Sequence, residues 1–273
     1  MMTRPIAGVA GASILAGFAA LLALPPYPVA AAEHVDLKLV LAVDVSRSMA
    51  SLGDVKQKLQ RNGYVEAFRS SEVLKAIQSG PYGKIAVTYV EWGGVFYQRT
   101  VVPWRVIGSD EDALVFADDL DHTSISLDQS TSISGGLLFA LGLIQRAGID
   151  SDRSTIDVSG DGPSNNGTSV PPVRDEILHQ GIVINGLPII LDPTPVYGGS
   201  LADYYEDCVI GGPGSFILTV TDLSQFQSAI RRKLVLEIAA ADARPPVQPV
   251  QDIFPSRPPI DCYLAETVRP PRP

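Results

Sequence analysis

One carboxylate and two hydroxyls stand two residues apart directly after an apolar run. Asp44, Ser46 and Ser48 follow residues 37–43, in which only Lys38 is polar. A run of this length is typical of a buried parallel strand, and ligands bind at the carboxyl ends of such strands. Oxygen ligands favour a hard divalent cation over zinc or copper. Because Asp and Ser are also common turn and N-cap residues, this motif alone leaves metal binding open.

Two further loops of the same kind carry oxygen ligands. Thr131 stands at the start of a predicted helix, and Asp161 follows a candidate strand at residues 154–159. Strand-to-helix loops gather at one edge of a doubly wound sheet, so these side chains are expected to lie near Asp44 around one ion. The sequence therefore predicts a metal centre assembled from three separate segments.

The elements needed to position these loops alternate along the chain. Strands alternating with helices predict an α/β fold with a doubly wound, Rossmann-like, mostly parallel sheet and helices on both faces. Residues 84–92 and 95–102, joined by Gly93-Gly94, predict a hairpin that places one antiparallel edge strand on the sheet. Further strands are expected at residues 154–159, 182–191 and 215–220. Helices are expected at residues 51–78 (with a bend or break at Asn62-Gly63), about 110–119, 137–145, 173–179, 200–206 and 223–238.

Residues 1–32 have the order of a secretory signal peptide. Arg4 precedes an apolar run at residues 6–24, and small residues at 30–32 would form the cleavage site. An uncleaved anchor is the alternative, because a run of this length nearly spans a bilayer. We expect export to the periplasm or outside the cell, with no transmembrane segment after cleavage.

The remaining chain divides at about residue 239. Residues 33–239 are expected to form the domain, and residues 240–273 a tail that is flexible or forms polyproline II outside the core, since nine prolines fall in its last 29 residues. Cys208 and Cys262 are the only cysteines. In an oxidising compartment this pair suggests a disulfide, and two free thiols are the alternative.

Charge and residue types exclude several functional classes. Without the first 32 residues, 20 basic and 30 acidic residues remain, for a net charge of −10, which argues against nucleic acid as a partner. Metal-activated hydrolysis needs a base near the bound water, and the three histidines (34, 122 and 179) are expected at the surface. The sequence also lacks a nucleophile elbow and a phosphate-binding P-loop.

The three oxygen-bearing loops together resemble the metal-ion-dependent adhesion site of von Willebrand factor A domains. That family's pattern is Asp-x-Ser-x-Ser, then a Thr before a small-residue helix turn, then Asp-Gly after the next strand. The matching segments are DVSRS at 44–48, STSISGGL at 130–137 and SGDG at 159–162. The resemblance covers about residues 35–238.

The resemblance implies Mg²⁺ (or Mn²⁺) and a function in binding. The implied ligands are Asp44, Ser46, Ser48, Thr131 and, directly or through water, Asp161. Three hydroxyls and at most two carboxylates leave a coordination position that an Asp or Glu carboxylate of a protein partner could fill. We therefore expect an exported adhesion module and not an enzyme. The alternatives are an exported metal-dependent hydrolase and a structural envelope component with a stabilising metal.

Two narrower expectations concern the rim of the site and a bacterial family that the chain resembles. Glu91, Trp92 and Asp192 end predicted strands at the metal edge and are candidates for a rim that shapes ligand choice, although Trp92 could equally pack in the core. Residues 204–216 (YYEDCVIGGPGSF) and 226–238 (FQSAIRRKLVLEI), with the signal peptide, are similar to a bacterial family of exported A-like domains, domain of unknown function 1194. That likeness implies a fold and a site without an activity.

Overall fold

The computed structural model describes residues 1–2, 33–50, 54–191, 196–239 and 257–268. The predicted signal segment, apart from its first two residues, lies outside the described residues, as do Asp192 and most of the predicted tail. None of the described helices is both long and apolar enough to cross a membrane.

A five-stranded sheet forms the centre of the domain. Its strands are β1 (His34–Asp44), β2 (Ile85–Trp92), β3 (Gln98–Ile107), β4 (Asp150–Gly160) and β5 (Val183–Pro188). The spatial order is β3-β2-β1-β4-β5, and every neighbouring pair is parallel except the antiparallel β2–β3 hairpin at one edge. The predicted sheet, with its single antiparallel edge strand, is confirmed.

Helices cover both faces of this sheet. They are α1 (Val55–Phe68), α2 (Ser71–Gln78), α3 (Asp110–Asp121), α4 (Ile133–Gln145), α5 (Val170–His179), α6 (Leu201–Tyr204), α7 (Phe226–Ala239) and α8 (Cys262–Thr267). Strand β1 divides the core because its side chains alternate between faces. Leu39 and Leu41 pack with α1, α2, α3 and α7, whereas Val40 and Ala42 pack with α4, α5 and α8.

The first helical region breaks at a different place from the one predicted. Helix α1 runs through Asn62-Gly63, and the break falls after Phe68, where the Ser70 side chain caps α2. Gly63 is needed for packing, since a Cβ there would lie 2.5 Å from Ile230 Cδ1 of α7. The glycine brings α1 and α7 together and does not interrupt the helix.

Two predicted strands also differ from the structure. Strand β3 continues through Pro103 to Ile107, because an edge strand tolerates a residue that cannot donate a ladder hydrogen bond. The strand expected at residues 215–220 is reduced to isolated parallel bridges, from Ile217 to Gly186 and from Val220 to Ile189. This segment lies beside β5 and extends the sheet irregularly.

Part of the predicted tail packs on the domain. Residues 257–268 carry α8, and Ile260 and Ala265 are buried in the core. The predicted Cys208–Cys262 disulfide is confirmed and joins α8 to the short π-helix that follows α6. The expectation of a tail outside the core is therefore wrong for residues 257–268.

Candidate metal centre

The turn after β1 orients the first group of oxygen ligands. Asp44 is fully buried at the end of β1, and its Oδ1 accepts a hydrogen bond from the Ser46 backbone N–H at 2.7 Å. The Ser46 and Ser48 Oγ atoms lie 3.1 Å apart. Ser46 is buried and Ser48 is exposed, so the turn runs from the interior of the sheet edge to the surface.

Asp161 meets this turn from the neighbouring strand. It follows β4, which pairs with β1, and its Oδ1 accepts a hydrogen bond from Ser48 Oγ at 2.5 Å. Its Oδ2 accepts from Lys56 Nζ of α1 at 3.0 Å. Two segments that are 113 residues apart in sequence are thus joined directly through residues predicted to share a site.

The inner oxygen of Asp44 has no hydrogen-bond partner among the described residues. This atom, Oδ2, is buried, as is the hydroxyl of Tyr205, which also lacks a partner there. A Cβ on Gly160 would lie 2.9 Å from each of them, so only glycine fits between these groups. Burial, and secondly the charge of Asp161, raise the pKa of Asp44 to about 8. A cation at this position would relieve both effects.

A third loop docks against the same turn through Asp128. Its backbone N–H donates to Val45 O at 2.9 Å, and its Oδ2 accepts from the backbone N–H groups of Gly94 at 2.7 Å and Ser130 at 3.2 Å. Asp128 is not among the residues predicted for the site. An Asp two residues before a loop serine is a signal for such an Asx turn, and it could have identified this residue.

Thr131 lies on this docked loop and is tied to the Asp161 loop. Its backbone N–H donates to Asn165 Oδ1 at 3.2 Å, and its carbonyl accepts from the Asn165 backbone N–H at 2.9 Å. The Thr131 side chain is buried. The three predicted loops therefore meet at one edge of the sheet, held together by backbone as well as side-chain hydrogen bonds.

A buried lysine next to the oxygen ligands escaped the sequence analysis. Lys56 is only 4% exposed, and besides Asp161 its Nζ contacts Ser48 O at 3.3 Å. Helix α1 turns a polar face towards the sheet edge, and the i, i+4 spacing of this face does not distinguish it from a solvated one. The buried residues of this face are Lys56, Gln57, Gln60 and Arg61.

A family model matches most of the chain. Residues 34–242 match the model of a family described as protein of unknown function (DUF1194). The chain belongs to the DUF1194 family. No match is found among the curated protein sequences.

Solved structures similar to this DUF1194 chain share its fold. Proximal thread matrix protein 1 from the mussel byssus, in a form with a zinc-occupied MIDAS motif, has 16% identity and a TM-score of 0.54 over 76% of this chain and 46% of its own. The von Willebrand factor domain of the type V pili tip protein Mfa5 from Porphyromonas gingivalis has 10% identity and a TM-score of 0.55 over 78% and 98%. The pilus adhesin SpaC from Lactobacillus rhamnosus GG has 12% and 0.55 over 76% and 30%.

These likenesses define the architecture of the DUF1194 chain as a von Willebrand factor A-like α/β fold. The chain spans less than half the length of proximal thread matrix protein 1. At identities of 10–16% the likeness shows the fold alone.

Two residues predicted for the ligand rim do not lie at a surface. Glu91 is 1% exposed, and its two carboxylate oxygens pair with Arg61 and Arg99. Trp92 is fully buried and packs on α4, where a Cβ at Gly136 would lie 2.8 Å from its ring. Every residue of β2 is buried, so neither side chain reaches a ligand, and the rim prediction is wrong for both. Asp192, the third candidate, lies outside the described residues.

The residues that meet at this edge fit a hard divalent cation. Within the described ranges no group of three or more His, Cys, Asp or Glu side chains is placed to hold a metal ion, so a metal centre here depends on two carboxylates and on hydroxyls. Such an oxygen set suits Mg²⁺ or Mn²⁺. The unpartnered Asp44 oxygen supports the same fit, because a buried carboxylate oxygen without a donor is stabilised by a bound cation.

Proposed function

We propose that this chain is an exported binding module whose metal centre captures an acidic side chain of a protein partner. Asp44, Ser46, Ser48, Thr131 and Asp161 would hold Mg²⁺ or Mn²⁺. The observation that carries the proposal is the direct Ser48–Asp161 hydrogen bond, which joins two of the loops beside the unpartnered Asp44 oxygen.

The chemistry of the ligand set supports binding over catalysis. When bound, a divalent ion would offer a Lewis-acid position to a carboxylate oxygen of the partner. Asp44 and Asp161 balance the charge of the ion, and the neutral hydroxyls of Ser46 and Ser48 add ligand oxygens without further negative charge. Ser48 is exposed, so the centre can be reached from outside.

The similar structures support the adhesion part of the proposal. Their names describe a byssus matrix protein with a MIDAS motif, a pilus adhesin and a pilus tip protein. The signal-like segment at residues 1–32 and the Cys208–Cys262 disulfide support export, because disulfides persist in oxidising compartments.

The test is a pull-down from envelope extract in Mg²⁺ and then in EDTA, read by mass spectrometry. Wild type should retain a partner in Mg²⁺ and release it in EDTA, and Asp44→Asn should capture nothing in either. Asp152→Asn is the matched control, because Asp152 pairs with His34 at the exposed start of the sheet. Capture that persists in EDTA or in Asp44→Asn would refute the proposal. Metal-dependent turnover of a phosphoester or peptide substrate, lost in Asp161→Ala, would favour the hydrolase instead.

A further inference from the structure

We propose that Lys56 acts as a tethered cation of the metal centre, weakening metal binding and making the loaded centre selective for an anionic ligand. This inference rests on the proposed function. It concerns a residue outside the predicted ligand set, and it specifies the charge of the ligand that the same site accepts.

The contacts place the Lys56 charge inside the ligand cluster. Lys56 Nζ lies 3.0 Å from Asp161 Oδ2 and 3.3 Å from Ser48 O, and the lysine and aspartate side chains are each 5% exposed. The same Asp161 carboxylate accepts from Ser48 Oγ through its other oxygen. Both Asp161 oxygens therefore have donors before an ion arrives, which keeps Asp161 positioned in the metal-free protein.

A fixed positive charge at this distance weakens binding of the metal ion and strengthens binding of an anion to the loaded centre. An ammonium group held among the ligands repels a divalent cation, and partial burial strengthens this repulsion relative to water. The same charge makes the loaded centre one unit more positive than Asp44, Asp161 and the ion alone would make it. Lys56 therefore lowers the affinity for the metal and raises the affinity of the loaded centre for a carboxylate.

The chain offers a matched control on the same helix. Lys58 lies two residues further on, is 60% exposed and pairs with Asp54 at the surface. Exposed ion pairs contribute little and are screened by salt. Lys58→Met therefore removes the same charge from the same helix without changing the metal centre.

The first experiment measures Mn²⁺ binding by isothermal titration calorimetry to the full chain and to Lys56→Met, Lys56→Gln and Lys58→Met. We expect both Lys56 variants to bind Mn²⁺ at least tenfold more tightly than wild type, and Lys58→Met to match wild type. Lys56→Gln retains an N–H donor for Asp161 and replaces the Met variant if that protein does not fold without metal. Melting temperatures with and without Mn²⁺ give a second readout, and the shift should be largest in the Lys56 variants.

The second experiment titrates acetate into the Mn²⁺-loaded proteins and follows water-proton relaxation. Acetate should displace Mn²⁺-bound water at lower concentration in wild type and Lys58→Met than in the Lys56 variants. Unchanged or weaker Mn²⁺ binding in both Lys56 variants would overturn the inference about Lys56 without refuting the proposed metal centre. Equal acetate affinity in all four proteins would overturn the anion selectivity. Absence of Mn²⁺ binding in every protein would refute the proposed function itself.

Discussion

Two buried clusters in this domain have the same charges and differ in access. Each holds two acids and one lysine, and each includes an acid on or directly after β4. The open cluster at the sheet edge is Asp44, Asp161 and Lys56, and the closed cluster in the core is Asp157, Glu237 and Lys233. The two clusters differ in how the charge of the second buried carboxylate can be balanced.

The closed cluster pairs its two acids with one lysine, and Asp157 Oδ2 and Glu237 Oε2 have no hydrogen-bond partner among the described residues. Lys233 Nζ lies 2.6 Å from Asp157 Oδ1 and also pairs with Glu237, whose Oε1 accepts from Asn185 Nδ2 at 3.0 Å. The three charged side chains are at most 1% exposed. Burial, and secondly the charge of Asp157, raise the pKa of Glu237 to about 7. Burial also raises the pKa of Asp157, so the two acids that share one lysine release their protons at higher pH than free carboxylic acids do.

The open cluster differs because it lies next to solvent. Ser48 beside Asp161 is exposed, and three loops bring neutral oxygens to the same edge. A divalent cation can therefore approach this cluster from solvent, whereas the side chains of the closed cluster are at most 1% exposed. Under the proposed function, this difference in access is what allows a cation to balance the second carboxylate of the open cluster only.

The largest expected effect comes from removing the lysine of the closed cluster. Lys233→Met should lower the free energy of unfolding by about 3–5 kcal/mol, since it leaves two acids buried without their cation. Urea unfolding of the variant, wild type and the exposed control Lys58→Met measures this loss. A loss below about 1 kcal/mol would show that the cluster holds protons on both acids, and the comparison would then fail.

Removing the disulfide shows whether the closed cluster depends on the segment that packs beside the open cluster. The π-helix Tyr205–Val209 carries Cys208 and places Tyr205 beside Asp44 of the open cluster. Replacing both cysteines by serine should lower the free energy of unfolding by about 2–4 kcal/mol through the entropy of the unfolded chain. The fall of stability with rising pH that follows from the raised pKa of Glu237 should persist. Its disappearance in urea unfolding of the double variant would indicate that α8 also holds the closed cluster in place.

The closed cluster should make stability fall as pH rises. Because the pKa of Glu237 is about 7 in the folded protein and 4.5 for an ordinary Glu side chain, the folded protein binds more protons between these values. The stabilisation is fully present below pH 4.5 and is lost as pH rises through about 7, by up to about 3 kcal/mol. Melting curves in EDTA from pH 4.5 to 8 should show a smaller decline in Glu237→Gln. Asp44, whose pKa is also raised, contributes equally to both proteins and cancels in the comparison. Identical slopes of melting temperature against pH in wild type and Glu237→Gln would show that a group other than Glu237 binds the proton.

The sheet and the meeting of the three oxygen-bearing loops can be predicted because both leave local signals in the sequence. The apolar run before Asp44 identifies β1, and the alternation of strands and helices identifies the sheet. The spacing of Asp44, Ser46 and Ser48 is set by one turn, so it can be seen within five residues. Thr131 and Asp161 become part of the prediction because the edge of a parallel sheet is itself predictable.

The buried ion pairs are not predictable in the same way. Glu91 ends an apolar strand, and its partners Arg61 and Arg99 come from α1 and β3. Lys56 and Lys233 occur in helices whose sequence pattern suggests ordinary solvated lysines. Whether such a charge faces water or a buried partner depends on contacts between distant segments, which periodicity does not encode. This is why the rim prediction failed and why Lys56 was missed.

The smallest expected effect is the one that most sharply separates the clusters. Asp44→Asn in EDTA should change the free energy of unfolding by less than about 1 kcal/mol, because Asn Oδ1 can still accept from the Ser46 backbone N–H and the substitution removes a charge that burial disfavours. Urea unfolding in EDTA and in saturating Mg²⁺ measures the effect. At a hundred times the dissociation constant, Mg²⁺ should stabilise wild type by about 2.7 kcal/mol and leave the variant unchanged. A loss above about 2 kcal/mol in EDTA would mean that the Asp44 charge is already paired without metal, and the open cluster would then be closed like its counterpart.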